Sequence, residues 1–141
     1  MPSLANRVAL ITGSTSGIGK GMAEHFAALG ARVVVHGRDT QAGERLVETI
    51  RARGSDAAFF QGDIADEAVC RALVRVAVER FGGLDILVNN AASTSRASIE
   101  SATLAFWDRM LAINLRAPFI LMQEALAAMK TRGGGSIINI G

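Results

Sequence analysis

A glycine-rich turn near the amino terminus constrains the fold of this chain more than any other feature. It reads Thr12-Gly13-Ser14-Thr15-Ser16-Gly17-Ile18-Gly19 and follows the apolar, β-branched run Val8–Ile11. An amphipathic run follows the turn, so the order is strand, glycine turn and helix. Glycine lets a backbone turn sharply and approach another group closely, because it has no Cβ atom. This order predicts a βα unit of an α/β fold, with backbone N–H groups at the helix start that can bind a phosphate.

The spacing of the turn is Gly-x-x-x-Gly-x-Gly rather than the commoner Gly-x-Gly-x-x-Gly. We expect Gly13 to Gly19 to hold a dinucleotide pyrophosphate, with the serine and threonine hydroxyls adding hydrogen bonds to the phosphates. The alternative is an ordinary turn in which the glycines are incidental. The strand before the turn and the helix after it favour phosphate binding.

Short β-branched runs alternate with longer amphipathic runs along the whole chain. The predicted strands are Val8–Ile11, Arg32–His36, Ala57–Gln61, Leu84–Val88 and Ser136–Ile140. The predicted helices are Gly17–Leu29, Thr40–Arg53, Glu67–Phe81, about Thr103–Ile113, and Ala117–Lys130. Gly30, Gly54 and Gly82 each follow a predicted helix, where a left-handed residue commonly ends the helix.

This alternation predicts one α/β domain over residues 1–141, a doubly wound, Rossmann-like parallel sheet with strand order 3-2-1-4-5. The apolar runs Val33–Val35, Ile86–Val88 and Ile137–Ile138 are typical of strands buried on both faces. Because a doubly wound domain normally continues past its fifth strand, we expect this one to be truncated there, with an open strand edge. The very apolar helix 117–130 is then expected to be covered by the sheet, by further chain or by another subunit.

Composition excludes several classes of protein. The chain has 15 basic and 13 acidic side chains and no Lys/Arg run, which argues against nucleic acid as a partner. It has neither a secretory leader pattern nor an apolar run of about 20 residues, so we expect no membrane association. The single cysteine, Cys70, cannot form an internal disulfide and fits a cytoplasmic location. His25, His36 and this cysteine are isolated from one another in the sequence, so no metal site is predicted.

Four further segments resemble the short-chain dehydrogenases/reductases, whose glycine loop Thr-Gly-x-x-x-Gly-x-Gly matches Thr12 to Gly19. They are Gln61-Gly62-Asp63-Ile64, Asn89-Asn90-Ala91-Ala92, the segment around Asn114, and Gly135-Ser136-Ile137-Ile138-Asn139-Ile140. The resemblance runs in order along the whole chain. It implies an NAD(P)-dependent oxidoreductase that transfers a hydride between nicotinamide and a carbonyl or secondary alcohol, and that forms homo-oligomers.

The resemblance also implies roles for single residues. Asp63 and Ile64 would contact the adenine ring, and Asn90, Ala91 and Ala92 would bind the cofactor beyond the fourth strand. Asn114 is similar to the active-site asparagine, which fixes a water of a proton relay. Ser93 to Ser98 would border the substrate, although a solvated loop is the alternative. Ala92 replaces the usual glycine of the family.

Each of these residues also has a purely structural interpretation. Asp63 can simply end the third strand, while Asp66 can cap the following helix. Asn89 and Asn90 can be turn residues. Asn114 can be an exposed helical asparagine, but its low helix propensity is a local misfit of the kind found at functional sites.

The end of the second strand bears on the choice of cofactor. An acidic residue there binds the ribose 2′-OH of NAD, whereas an arginine accommodates the 2′-phosphate of NADP. Here Gly37 stands where NAD-users of the family carry the acid, and Arg38 follows it, which favours NADP. Asp39 either turns toward the ribose or caps the next helix with Thr40. His36 is expected to lie beside the adenine rather than to act as a catalyst.

The chain contains no tyrosine, whereas the family transfers its proton through a Tyr-x-x-x-Lys pair assisted by a serine. We expect these residues beyond Gly141, in a parent protein that is an enzyme, and we expect the 141-residue chain alone to be inactive. The alternatives are a catalytically inactive dinucleotide-binding or interaction module, and a fragment that needs a partner chain.

Overall fold

The computed structural model describes residues 3–141, in which strands and helices alternate as the sequence predicts. The strands are β1 (Val8–Ile11), β2 (Arg32–Gly37), β3 (Ala57–Gln61), β4 (Ile86–Asn89) and β5 (Ser136–Asn139). The helices are α1 (Gly17–Ala28), α2 (Thr40–Ala52), α3 (Glu67–Phe81), α4 (Leu104–Leu111) and α5 (Ala117–Lys130), with a π-helical segment, Ala112–Arg116, between the last two.

The five strands form one parallel sheet in the order 3-2-1-4-5, which confirms the predicted Rossmann-like topology. The chain moves outward from β1 to β3, then returns to pair β4 with the other side of β1. Loops after β1 and β4 therefore leave neighbouring strands in opposite directions. Such a switch point, at the carboxyl edge of the sheet, is where doubly wound folds bind ligands.

The core has one layer on each face of the sheet. Leu10 and Leu87 face α3 and α5, whereas their neighbours Ile11 and Val88 face α1 and α2. This alternation follows from the two-residue period of a strand, and it works only because both faces are apolar. Every residue of β1 is fully buried, so the strand that precedes the glycine loop is anchored in the core.

The prediction that the fifth strand is buried on both faces is wrong for the described chain. Ile137 and Ile138 are 38% and 41% exposed, because β5 pairs only with β4 and is the last strand of the sheet. The predicted open strand edge is therefore present. Gly30, Gly54 and Gly82 have φ values of 99°, 92° and 85°, as expected for glycines that end helices.

The predicted break between the fourth and fifth helices is also wrong. Residues 112–116 continue the helix in π register, where the Ala117 N–H donates to the carbonyl of Ala112. Pro118 supplies a physical reason, because a proline has no N–H and clashes with the carbonyl four residues earlier. That carbonyl belongs to Asn114, so the helix cannot keep an α-helical bond there. No helix in the described part of the chain is long and apolar enough to span a bilayer.

Candidate active site

The first turn of α1 has no side-chain cap. Asp39, Asp66 and Thr103 each accept a backbone N–H at the start of α2, α3 and α4. Ser16 occupies the same position before α1, yet its side chain makes no such bond, and no acidic residue lies in the first turn. The initial N–H groups of α1 are therefore left for an external acceptor. They are a natural partner for an anion, which the helix dipole also favours.

Thr12 and Asn90 fix the glycine loop to the end of β4. The buried Thr12 hydroxyl accepts the N–H groups of Asn90 and Ala91, at 3.0 and 2.9 Å. The Asn90 side chain returns two bonds, from Nδ2 to the carbonyls of Thr12 and Gly13, at 3.1 and 3.2 Å. Asn89 instead lies in β4 and bonds Asn139 of β5. The loops after β1 and β4 consequently form one rigid unit.

His36 fixes the same loop to β2 and to the loop after β3. Its Nδ1 accepts the Gly13 N–H at 3.0 Å, and its Nε2 lies 2.9 Å from the Gly62 carbonyl. Because Nδ1 accepts an N–H, it carries no proton, and because Nε2 faces a carbonyl oxygen, it must donate one. The ring is therefore neutral, with its proton on Nε2. Burial lowers the pKa of His36, and it outweighs the opposing effects of the Gly62 carbonyl and Asp63. The expectation that His36 flanks the adenine is thus incomplete, since the ring is a buried brace.

The side chain of Ser14 belongs to this brace rather than to the phosphate site. It is completely buried; the hydroxyl donates to the Ile11 carbonyl at 2.7 Å and accepts the His36 N–H at 3.0 Å. The hydroxyl donates its one proton to the Ile11 carbonyl in this fold, so of Ser14 the backbone is the part that we still expect to contact the cofactor. We still expect the hydroxyls of Thr15 and Ser16 to bind a phosphate, since both residues line the open cleft.

The three glycines of the motif differ in their surroundings. A Cβ at Gly13 would lie 2.9 Å from the Cα of Ala91, and one at Gly19 would lie 2.5 Å from Nδ2 of Asn90. Close packing therefore excludes a side chain at both. Gly17 has φ 56°, and a Cβ atom placed on it would have no other atom within 4 Å, so it faces open space at the helix start. Together with the uncapped helix, this space is a cradle that fits a pyrophosphate.

A cleft of about 540 Å³ opens at this carboxyl edge of the sheet, a size usual for small-molecule sites. Its walls are the glycine loop, the ends of β2 and β3, the loop after β4, and α4. The lining includes Gly13, Thr15, Ser16, Gly37, Arg38, Asp63, Ile64, Asn90, Ala91, Ala92, Ser93, Thr94, Ser95 and Arg109. Most of the residues expected to bind the cofactor therefore share one cleft. Gly17 and Ile18 lie beside it, exposed at the start of α1.

Asp63 lies at the end of the cleft beyond β3. Its Oδ1 accepts the Ala65 N–H at 2.9 Å, and its Oδ2 accepts Nη2 of Arg109 at 3.0 Å. The Ala65 N–H, followed by the Arg109 guanidinium, lowers the pKa of this carboxyl, although desolvation opposes them. Asp66, a different residue, caps α3. Asp63 is thus an ionised acceptor held in place from two sides.

Arg38 and Asp39 follow β2 at the edge of the cleft. The Asp39 carboxylate accepts the Ala42 N–H at 3.0 Å and caps α2, which answers the question its sequence position left open. The exposed Arg38 guanidinium takes part in no ion pair within residues 3–141. At the end of β2, the charged side chain that remains available to a ligand is therefore the positive one, that of Arg38.

Asn114 lies in the π-helical segment and holds the loop after β4. Its Oδ1 accepts the Ser93 N–H at 2.9 Å, and its Nδ2 donates to the Ser93 carbonyl at 3.0 Å. The oxygen and the nitrogen of the amide therefore both bond the backbone of Ser93. The side chain braces the wall of the cleft, and the backbone carbonyl of Asn114 has lost its α-helical donor at Pro118.

Sequence reasoning missed three contributors to this site: Thr12 as a clamp, His36 as a brace, and Arg109 as the partner of Asp63. For Thr12 and His36 a signal existed, because polar residues at the ends of adjacent parallel strands converge. For Arg109 there was none, since its position depends on how α4 packs over the cleft. No group of three or more histidine, cysteine or acidic side chains is arranged to hold a metal in the described range.

Comparison with known proteins agrees with this geometry. A family model described as short chain dehydrogenase matches residues 7–141. An uncharacterized oxidoreductase of Thermotoga maritima is 43% identical over 97% of this chain and 54% of its own length. Galactitol 2-dehydrogenase of Agrobacterium fabrum is 41% identical over 97% of this chain and 53% of its own length. A Burkholderia cenocepacia short chain dehydrogenase, solved in complex with NADP, superposes with a TM-score of 0.92 at 35% identity, covering 99% of this chain and 57% of its own.

The chain spans about half the length of the curated relatives it matches. Within that half, the glycine loop, the strand order and the residues around the cleft occur together in one structure. The family model covers nearly all of the sequence. This chain belongs to the short-chain dehydrogenase/reductase family of oxidoreductases.

Proposed function

We propose that this chain is the cofactor-binding part of an NADP-dependent dehydrogenase or reductase that acts on a small carbonyl compound or secondary alcohol. The arrangement of the three residues at the end of β2 supports NADP rather than NAD as the cofactor. Arg38 is available at the cleft, Asp39 is used as a helix cap, and Gly37 offers no carboxylate to a ribose hydroxyl. A guanidinium can make charge-assisted hydrogen bonds to a 2′-phosphate.

The remaining cofactor contacts follow from the cleft. The pyrophosphate would lie over Gly17 and the N–H groups of Ile18 and Gly19, with hydroxyl bonds from Thr15 and Ser16. Asp63 and Ile64 would hold the adenine end, while Ala91 and Ala92 would line the path toward the nicotinamide. Gly13 and Asn90 line the cleft and would contact the cofactor there, and they also fix the loop, because the Asn90 side chain donates to the Gly13 carbonyl.

When bound, the nicotinamide supplies the hydride or accepts it. We propose that Asn114 takes part by ordering a water of the proton relay. Its side chain is held on Ser93, and its backbone carbonyl lacks an α-helical donor at Pro118, so we assign the water to that carbonyl. Ser93, Thr94 and Ser95 line the same cleft and would border the substrate.

The family reaction also needs a tyrosine that transfers a proton, with a pKa lowered by a nearby lysine. Because this chain contains no tyrosine, we propose that residues 1–141 alone do not catalyse carbonyl reduction. The second candidate function is a dinucleotide-binding or interaction module without catalysis. NADPH-dependent turnover by the natural protein supports the enzyme, whereas cofactor binding without turnover supports the module.

We also propose that the protein assembles into homo-oligomers through the outer face of α4 and α5. Apolar side chains recur there at intervals of three, four or seven residues and remain exposed; they are Leu104, Trp107, Leu111, Leu115, Phe119 and Leu126. An apolar face of this length on a helix normally packs against another surface. A cytoplasmic location completes the proposal and rests on Cys70, the single cysteine, which is buried.

The test of the cofactor assignment is Arg38→Ala, with NADPH and NADH affinities measured by titration. A charge-assisted contact to a 2′-phosphate is worth about a tenfold change in affinity or more. We expect NADPH binding to weaken by about that factor and NADH binding to change little. Arg53→Ala removes the same charge from an exposed site at the opposite end of α2 and serves as the control. Equal losses for both dinucleotides in Arg38→Ala contradict the assignment.

A further inference from the structure

The space around position 37 is too small for any residue with a side chain, so only glycine fits there. It is buried at the end of β2, and its φ lies outside the left-handed region that glycine alone adopts easily. A Cβ atom built there would lie 2.5 Å from Oγ1 and 3.0 Å from Cβ of Thr15, with Cγ2 also too close. Real Cβ atoms do not approach other atoms so closely, so Thr15 occupies the place of a side chain at position 37.

Thr15 cannot easily give way. Rotation about χ1 moves Oγ1 and Cγ2, but it leaves the threonine Cβ 3.0 Å from the new atom, so the loop backbone must still shift by a few tenths of an ångström. A backbone shift is opposed by the brace at the preceding residue, where the Ser14 N–H donates to the His36 carbonyl at 2.8 Å and the Ser14 hydroxyl accepts the His36 N–H at 3.0 Å. The Gly13 N–H bond to the His36 ring adds a third tie. The loop is therefore locked over the end of β2.

Position 37 is the place where NAD-users of the family carry the acidic residue. We propose that Thr15 is a specificity-determining residue, because its side chain closes position 37 to any side chain and so leaves discrimination between the two dinucleotides to Arg38. This inference rests on the proposed function of the cleft. It implies that Thr15 and Gly37 together keep an acidic side chain out of this end of the cleft, and that an acid placed at position 37 alone cannot reverse the preference given by Arg38.

A double-mutant cycle on the ligand-free protein tests the steric part. Gly37→Ala adds one methyl group and no charge, and we expect it to lower the melting temperature. Thr15→Gly removes the obstructing side chain, so Gly37→Ala should cost much less in the Thr15→Gly background. Thr15→Val preserves the branched shape without the hydroxyl and is the matched control, in which Gly37→Ala should cost as much as in wild type. Equal costs in all three backgrounds would overturn the steric lock.

Titration with NADPH and NADH tests the specificity part. Gly37→Asp alone should weaken both dinucleotides by about tenfold or more, because the loop must distort. Thr15→Gly/Gly37→Asp should bind NADH more tightly than NADPH. Thr15→Val/Gly37→Asp should keep the NADPH-to-NADH affinity ratio of the single variant, because loss of the Thr15 hydroxyl weakens both dinucleotides alike. A reversed preference in Gly37→Asp alone refutes the inference, as does a Thr15→Gly/Gly37→Asp protein that still prefers NADPH. A wild-type protein that binds neither dinucleotide refutes the proposed function instead, and the melting temperatures still report on the lock.

Discussion

His36→Phe is the substitution that most sharply tests how the site is held together. Phenylalanine keeps a ring of similar size in a position that is 2% exposed, but it removes both ring nitrogens. The Gly13 N–H and the Gly62 carbonyl then lose their partners inside the fold. Each unpaired buried group costs about 1–3 kcal/mol, so we expect the free energy of unfolding to fall by about 2–4 kcal/mol.

This loss of stability should depend on pH. Burial lowers the pKa of His36 from an unfolded value of 6.5, so the unfolded state takes up the proton first. The stability that the neutral ring contributes is therefore complete above pH 6.5 and is lost as the pH falls below it. Between pH 7.5 and 5.5 one such group loses up to about 1.3 kcal/mol, and the difference between wild type and His36→Phe should shrink by that amount.

Urea unfolding followed by circular dichroism at these two pH values measures both quantities. His25→Phe is the control, because His25 is exposed on α1 and its replacement should change stability by less than about 0.5 kcal/mol. The bracing role of His36 is refuted if His36→Phe is as stable as His25→Phe at pH 7.5. It is refuted equally if the stability difference between His36→Phe and wild type grows as the pH is lowered.

Two further substitutions probe the packing at the site and a buried charge at the opposite edge of the sheet. Gly19→Ala places a Cβ 2.5 Å from Nδ2 of Asn90, so it should lower the melting temperature and weaken dinucleotide binding. The control is Gly21→Ala, which lies in open space on the same helix and should stabilise the protein by up to about 1 kcal/mol. A Gly19→Ala protein with wild-type affinity for the dinucleotide contradicts this close packing. Asp85→Asn should cost about 3 kcal/mol in chemical unfolding, because the buried Asp85 carboxylate accepts both Val8 N–H and Arg132 Nη2 at 2.8 Å. Asp56→Asn, at an exposed ion pair, should cost less than about 1 kcal/mol, and equal losses for the two carboxylates would argue against this difference.

The parts of the fold that depend on local periodicity could be predicted from the sequence. The bounds of β1 and α3 agree to the residue, because Val8–Ile11 and Glu67–Phe81 carry clear strand and helix patterns with a cap or glycine beside them. The strand order followed from the handedness of βαβ connections. The π-helical segment could not be predicted by the same means, because Pro118 at the start of a helix normally signals a break rather than a change of register.

The parts of the site that depend on neighbouring elements were harder to predict. The sequence indicated a polar loop from Thr12 to Gly19, but Ser14 turns its hydroxyl inward because His36 and Ile11 offer partners there. The role of Asn114 was similarly incomplete, since its amide reaches back 21 residues to Ser93. The fit of Thr15 over Gly37, which leaves no room for a Cβ atom, depends on how the glycine loop packs against the end of β2. Such contacts arise only when the sheet brings the loops together.

The central claim is that the cleft binds a nicotinamide dinucleotide and prefers the one with a 2′-phosphate. Parallel calorimetric titrations of the protein with NADPH and NADH, at one pH and one ionic strength, test it most directly. We expect saturable 1:1 binding of NADPH that is about tenfold tighter or more than that of NADH. Tighter binding of NADH, or no binding of either dinucleotide to the folded protein, would contradict the claim.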